Sequence, residues 1–252
     1  MGSTGPLRVE RDGPLLRVTL ARPDRRNALD AELIAELTAA FADVGDARAV
    51  VLAGEGDSFC AGADVDWMRS SVELSYEENV ADSTRLRRMY EAIDNSPAPV
   101  IARAQRYVLG GGVGLVCCCD AVVAADDAVF AFSEVKLGII PAVISPFALA
   151  RIGPGPARRY FVTGERFDAE TALRIGLVHE VVPAAELDAA VDRIAAEILG
   201  SGPEASRHAK RLALDAPLDG LETARRIAER RTSDEGQEGL RAFLERRPPG
   251  WT

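Results

Sequence analysis

Histidine is almost missing from this chain: only His179 and His208 occur in 252 residues. Neither has a recognisable partner nearby, so neither is expected to catalyse or to bind metal, and both read as structural or surface residues. Long apolar runs are missing as well. A membrane span needs about 18 or more apolar residues in a row, and no such run occurs. The opening MGSTGPLRVE has no apolar h-region, so no secretory signal is expected, and Pro6 breaks the myristoylation pattern. Basic excess is absent: 30 Lys and Arg stand against 39 Asp and Glu, a formal net charge of −9. That balance favours solubility and argues against a nucleic-acid groove. Of the four cysteines, Cys117, Cys118 and Cys119 are adjacent and cannot build a disulfide framework. With Cys60 as the only other, no spaced second pair suggests zinc. They read as small buried hydrophobes in a reduced, cytoplasmic setting.

What remains is an ordinary globular composition, 47% hydrophobic and 27% charged, with no internal repeat, low-complexity segment or flexible linker. LLRVTL at 15–20 and AVVLA at 49–53 read as strands. Between them Asn27 or Asp30 can cap a helix whose Leu33, Leu37 and Phe41 share one face. This alternation suits a parallel sheet with helical crossovers, an α/β fold. FCAGAD at 59–64 is a tight turn into a helix capped by Asp64, and 71–95 is a charged helix with an apolar stripe of Leu86, Met89, Tyr90 and Ile93. Pro97 and Pro99 end it. From Ala185 onward the pattern is helical throughout, which divides the chain into a core at 1–195 and a helical region at 196–252.

The chain is organised around residues 108–147, which open with Gly110, Gly111 and Gly112 ahead of an apolar segment able to start a helix. Backbone without side chains can approach a ligand closely, and its unpaired N–H groups point at negative charge. A dinucleotide fingerprint would need a third glycine where Leu115 stands, and would leave Glu134 unused.

Three elements in order, AGAD at 61–64, the triple glycine at 110–112 and Glu134 some twenty residues on, resemble the enoyl-CoA hydratase/isomerase (crotonase) family. The resemblance runs from Ala21-Arg22-Pro23 to the Phe243–Arg246 region, and the stretch around Glu134 is similar to the methylglutaconyl-CoA hydratase branch. It implies a spiral of repeated ββα units with a helical C-terminal oligomerisation region. The residues after 195 would then build a homotrimer or a dimer of trimers. It also implies an acyl-CoA thioester as substrate, with coenzyme A part of that substrate and no separate cofactor or metal. By the family pattern Ala63 and Gly111 supply two backbone N–H donors to the thioester oxygen, and Glu134 moves the proton. Arg22, Ala28, Ala61, Gly62, Asp64, Gly114, Pro141, Phe243 and Arg246 match positions that contact coenzyme A or the acyl group.

One departure matters. Two-carboxylate hydratases of the family carry a second glutamate where this chain has Gly114; Asp120 lies six residues further on and reads as a structural hydrogen-bond partner. The readings left open are hydration of a 2-enoyl-CoA, branched or carboxylated acyl groups included, with Glu134 alone; a 3,2-enoyl-CoA isomerase with the same single base; and a non-catalytic acyl-CoA-binding relative.

Overall fold

Alternating aliphatic residues make Leu15–Leu20 a strand covered on both faces. In the computed structural model, which describes residues 5–251, this strand (β2) pairs antiparallel with β1 (Leu7–Asp12) and parallel with β3 (Ala49–Gly54). Helix α1 (Ala31–Ala42) crosses between β2 and β3. Its cap is Asp30, whose carboxylate accepts from the Leu33 N–H, and it buries Leu33, Leu37 and Phe41. Asn27 does not cap this helix. It is fully buried, and its amide donates to the carbonyls of Glu55 and Ser58 while its oxygen accepts from the Arg22 N–H.

Three further parallel strands extend the sheet: β4 (Val100–Ala104), β6 (Ala121–Ala125) and β9 (Glu180–Val182), giving the order β1-β2-β3-β4-β6-β9. A second sheet consists of very short strands, β5 (Tyr107–Leu109), β7 (Val129–Ala131) and β8 (Phe167–Asp168). An isolated bridge from Cys60 to Val108 extends it towards the residues after β3. Each turn of the chain thus runs from a strand of the large sheet to the small sheet and then into a helix. That is the ββα spiral expected from the resemblance. The helices are α2 (Val65–Ser71) and α3 (Tyr76–Asp94) after β3, and α4 (Gly111–Cys117) after β5. After β7 come α5 (Ser145–Ile152) and α6 (Pro154–Thr163), and after β8 comes α7 (Ala169–Arg174). The main core fills the space between the sheets and these helices.

The opposite face of the large sheet is covered by α8 (Leu187–Gly200). Its Leu187, Ala190, Val191 and Ala195 meet Leu15, Ala49, Val51, Ile101 and Val123 in a second core. A division at residue 195 therefore falls inside α8, which belongs to the core as a whole. The helices that follow are α9 (Pro203–Leu214), α10 (Gly220–Thr232) and α11 (Asp234–Glu245). They are tied to the core by polar contacts: Arg48 donates to the carbonyls of Ser201 and Trp251, and Lys210 pairs with Asp120 at 2.8 Å. Asp120 also accepts from the Val100 N–H at 2.7 Å, the structural partnership expected for it.

All four cysteines are buried, and burial pushes the thiols of Cys60 and Cys117 up to about 12. His179 is exposed, and its ring accepts from the Val122 N–H at 2.9 Å; partial desolvation and the neighbouring Arg151 hold its pKa below the usual value. His208 is exposed on α9. Among the described residues no helix is long and apolar enough to cross a membrane.

Candidate active site

Two turns separated by nearly fifty residues touch through their backbones. At the first, Leu29 and Ala63 form a parallel bridge in which Leu29 N–H donates to Gly62 O and Asp64 N–H donates to Leu29 O, both at 2.8 Å. A bridge of this kind uses the neighbours of Ala63, so Ala63's own N–H faces the other way. At the second, Gly110 N–H donates to Ala131 O at 2.8 Å and α4 starts at Gly111, whose N–H precedes the first intrahelical bond. No backbone hydrogen bond among the described residues uses the N–H of Ala63 or Gly111.

Close approach depends on two glycines. Gly62 sits at φ +98°, and a Cβ there would lie 3.0 Å from the Leu109 carbonyl oxygen. A Cβ on Gly112 would collide with the carbonyl oxygen of Cys60. Behind the first turn Arg22 acts as a clamp. Its guanidinium donates to Ala28 O and pairs with Asp30 and Asp64, the latter two at 2.9 and 3.0 Å. Burial pushes the Asp64 carboxyl up, but the N–H groups of Asp66 and Trp67 together with Arg22 outweigh it and hold it below the usual carboxylate range.

The two turns open onto a cavity of about 570 Å³, a normal size for a small-molecule site. Glu134, at the start of a single 3-10 turn, lines it alongside Ala63, Gly110 and Gly111. Its Oε1 would lie 3.6 Å from a Cβ on Gly110, and its Oε2 is buried with no hydrogen-bond partner. Burial raises the Glu134 pKa above the ordinary glutamate value. A carboxyl group with one oxygen unpaired and desolvated beside two unused N–H donors is equipped to accept and return a proton next to a developing oxyanion.

Tyr90 completes the site and was not singled out as functional by sequence reasoning. It is fully buried on α3, lines the cavity, and donates from Oη to Gly111 O at 2.9 Å. Its ring also explains Gly114. A Cβ at Gly114 would lie 2.8 Å from two ring carbons of Tyr90 and 2.5 Å from Ile144 Cγ2. Tyr90 and Ile144 therefore occupy the volume through which a longer side chain at 114 would reach.

Of the expected site residues, Glu134, Ala63, Gly111, Ala61, Gly62 and Pro141 line the cavity. Arg22, Ala28 and Asp64 stand behind the first turn, tied to one another. Gly114 is a correction: it is buried beneath Tyr90 and is not on the cavity wall. Phe243 and Arg246, at the end of α11, are not on the wall either, and Phe243 is 81% exposed. The wall also includes Leu29, Trp67, Asn79, Asp82 and Leu86, the last three on the charged helix read at 71–95. No group of three or more His, Cys, Asp or Glu among the described residues is placed to hold a metal ion.

Known proteins are similar to this chain along nearly its whole length. The family model described as "Enoyl-CoA hydratase/isomerase" matches residues 10–252. A crotonyl-CoA hydratase of Syntrophomonas wolfei is 35% identical over 249 residues, covering 95% of each chain. Among solved structures, an enoyl-CoA hydratase from Shewanella pealeana superposes with a TM-score of 0.92 at 38% identity, covering 98% of this chain and 96% of that one. Pseudomonas aeruginosa AtuE superposes with a TM-score of 0.94 at 36% identity, covering 98% and 99%. Spiral fold, paired turns and full-length similarity agree: the chain belongs to the enoyl-CoA hydratase/isomerase family of acyl-CoA enzymes.

Proposed function

We propose that the chain adds water reversibly to a 2-enoyl-CoA, with Glu134 as the single acid–base residue. The observation that carries this reading is Glu134 on the cavity wall beside the two turns, its Oε2 buried and without a hydrogen-bond partner. In this mechanism the thioester oxygen accepts from the N–H groups of Ala63 and Gly111. Glu134 takes a proton from water, the water oxygen bonds to C3, and the π electrons move onto the thioester as an enolate. Glu134 then returns the proton to C2, so that H and OH have been added across the double bond. Each oxyanion donor is worth about 3–4 kcal/mol of barrier by analogy with oxyanion-hole deletions. The Tyr90 hydroxyl, its proton committed to Gly111 O, has lone pairs left to orient the water where a second glutamate is missing.

One observation favours a second reading. Of the two acids on the cavity wall among the described residues, Glu134 and Asp82, Glu134 adjoins Gly110, and moving a double bond from C3 to C2 needs one base shuttling a proton between C4 and C2. Loss of absorbance from crotonyl-CoA, against formation of the conjugated product from a 3-enoyl-CoA, separates the two activities. No turnover with either, alongside binding of both, would leave the acyl-CoA-binding reading in their place.

Assembly belongs to the same proposal. Leu240, Phe243 and Leu244 on α11, Ile140 on the cavity wall and Val162 on α6 are exposed, apolar surface suited to a homotrimer or a dimer of trimers that brings Phe243 and Arg246 to a neighbour's site. Sedimentation of a stable monomer at micromolar concentration would overturn it.

A further inference from the structure

The cavity wall is polarised, and its polarity bears on which acyl groups it admits, given that the cavity takes an acyl-CoA. Beside the first turn stand two exposed arginines: Arg25, which pairs with Asp66 at 3.0 Å and lies 3.8 Å from Asp64, and Arg26, whose guanidinium lies over the Tyr107 ring. The anionic nucleotide half of the thioester suits that side. A thioester bound that way round would send its acyl chain in the other direction, towards the junction of α2 and α3, where Ser71, Asn79, Asp82 and Ser83 form the wall.

This far wall offers acceptors and negative charge. The Asp82 side chain is only 14% exposed; Arg85 donates to its Oδ1 at 2.7 Å and is not part of the wall. Arg85 is itself 60% exposed, so water screens its charge. The Asn79 amide nitrogen is occupied by the Leu74 and Ser75 carbonyls, both at 3.1 Å, which leaves its oxygen for the cavity. Among the described residues, the wall contains two carboxyl groups, Asp82 and Glu134, and no Lys, Arg or His. A second carboxylate on the acyl chain would be desolvated between them with no cation to pair with, and an unpaired buried charge is strongly disfavoured.

We infer that the site selects acyl-CoA thioesters whose acyl chain carries no carboxylate, with Asp82 as the residue that excludes carboxylated chains. The carboxylated acyl groups left open by the sequence fall outside that class; the branched, uncharged ones remain within it.

The test is calorimetric titration of the intact protein with pentanoyl-CoA and glutaryl-CoA, saturated thioesters of equal chain length that differ in the terminal carboxylate. Pentanoyl-CoA is expected to bind about tenfold or more tightly, a difference of about 1.4 kcal/mol. Asp82→Asn should close most of that gap by strengthening glutaryl-CoA binding while pentanoyl-CoA binding stays within about twofold. Equal or tighter binding of glutaryl-CoA to the wild type would overturn the inference, as would an unchanged gap in a folded Asp82→Asn variant. Neither ligand reacts, so the result does not depend on the choice between hydration and isomerisation. Failure to bind either thioester would instead refute the acyl-CoA reading, and this inference with it.

Discussion

Replacing Glu134 by Gln should lower activity and raise stability in the same variant. Its Oε2 is buried without a partner and burial raises its pKa, so the ionised carboxylate is less well solvated in the folded state than in the unfolded chain. The sign follows from linkage. An acid whose folded pKa lies above its unfolded value destabilises the fold fully once the pH exceeds the folded pKa. The penalty fades as the pH falls through the folded pKa and is gone below the unfolded value, where both states are protonated. The Gln variant should therefore be more stable than wild type at pH 7–8 and lose that advantage near pH 4. An unsatisfied buried polar group costs about 1–3 kcal/mol. The amide recovers only part of this, so a gain of about 1 kcal/mol is expected, or about 2–4 °C in Tm for a chain of this size. Turnover should fall about 100- to 10,000-fold, the span for a positioned general acid–base, with affinity for a saturated acyl-CoA little changed. Thermal unfolding across pH and a crotonyl-CoA assay check both halves. A folded variant with wild-type turnover would remove Glu134 from the mechanism, and a variant less stable at every pH would refute the account of its burial.

Tyr90→Phe leaves the Gly111 carbonyl without its 2.9 Å donor. Turnover should drop about tenfold or more with binding of pentanoyl-CoA unchanged, and stability should fall by about 1–3 kcal/mol in urea titration. Gly114→Ala places a Cβ 2.5 Å from Ile144 Cγ2, so overpacking should cost about 1–3 kcal/mol. Gly114→Glu should displace Tyr90 and lose activity; a gain in hydration would show that the second acid has room after all. Leu37→Ala, in the fully buried row on α1, should cost about 2–5 kcal/mol without altering KM in the folded fraction.

Much of the architecture was legible because it follows from periodicity and caps. The strand at Leu15–Leu20, the Asp30 and Asp64 caps and the buried stripe of α3 all rest on local rules. The small sheet was not, since strands of two or three residues such as Phe167–Asp168 carry no repeat to detect. Helical periodicity shows which face of α8 is apolar but not what covers it, and so the division at 195 cuts a helix that packs on the sheet. Tyr90 illustrates the same limit. Its spacing places the ring in the core, whereas the destination of its hydroxyl depends on where Gly111 lies in three dimensions. Gly114 read as a missing acid because the sequence gives a residue's type and not the volume above it.

The contact between the turns at Gly62 and Gly112 has a consequence for how such a site can diversify. The atoms proposed to hold the thioester oxygen are main-chain atoms, set in place by bare backbone lying against bare backbone. The wall proposed to meet the acyl chain is built from side chains on other segments, at 67–90 and 137–144. Reaction and recognition are therefore written in different parts of the chain. The second can be rewritten, by drift or by a protein engineer, while the first stays as it is.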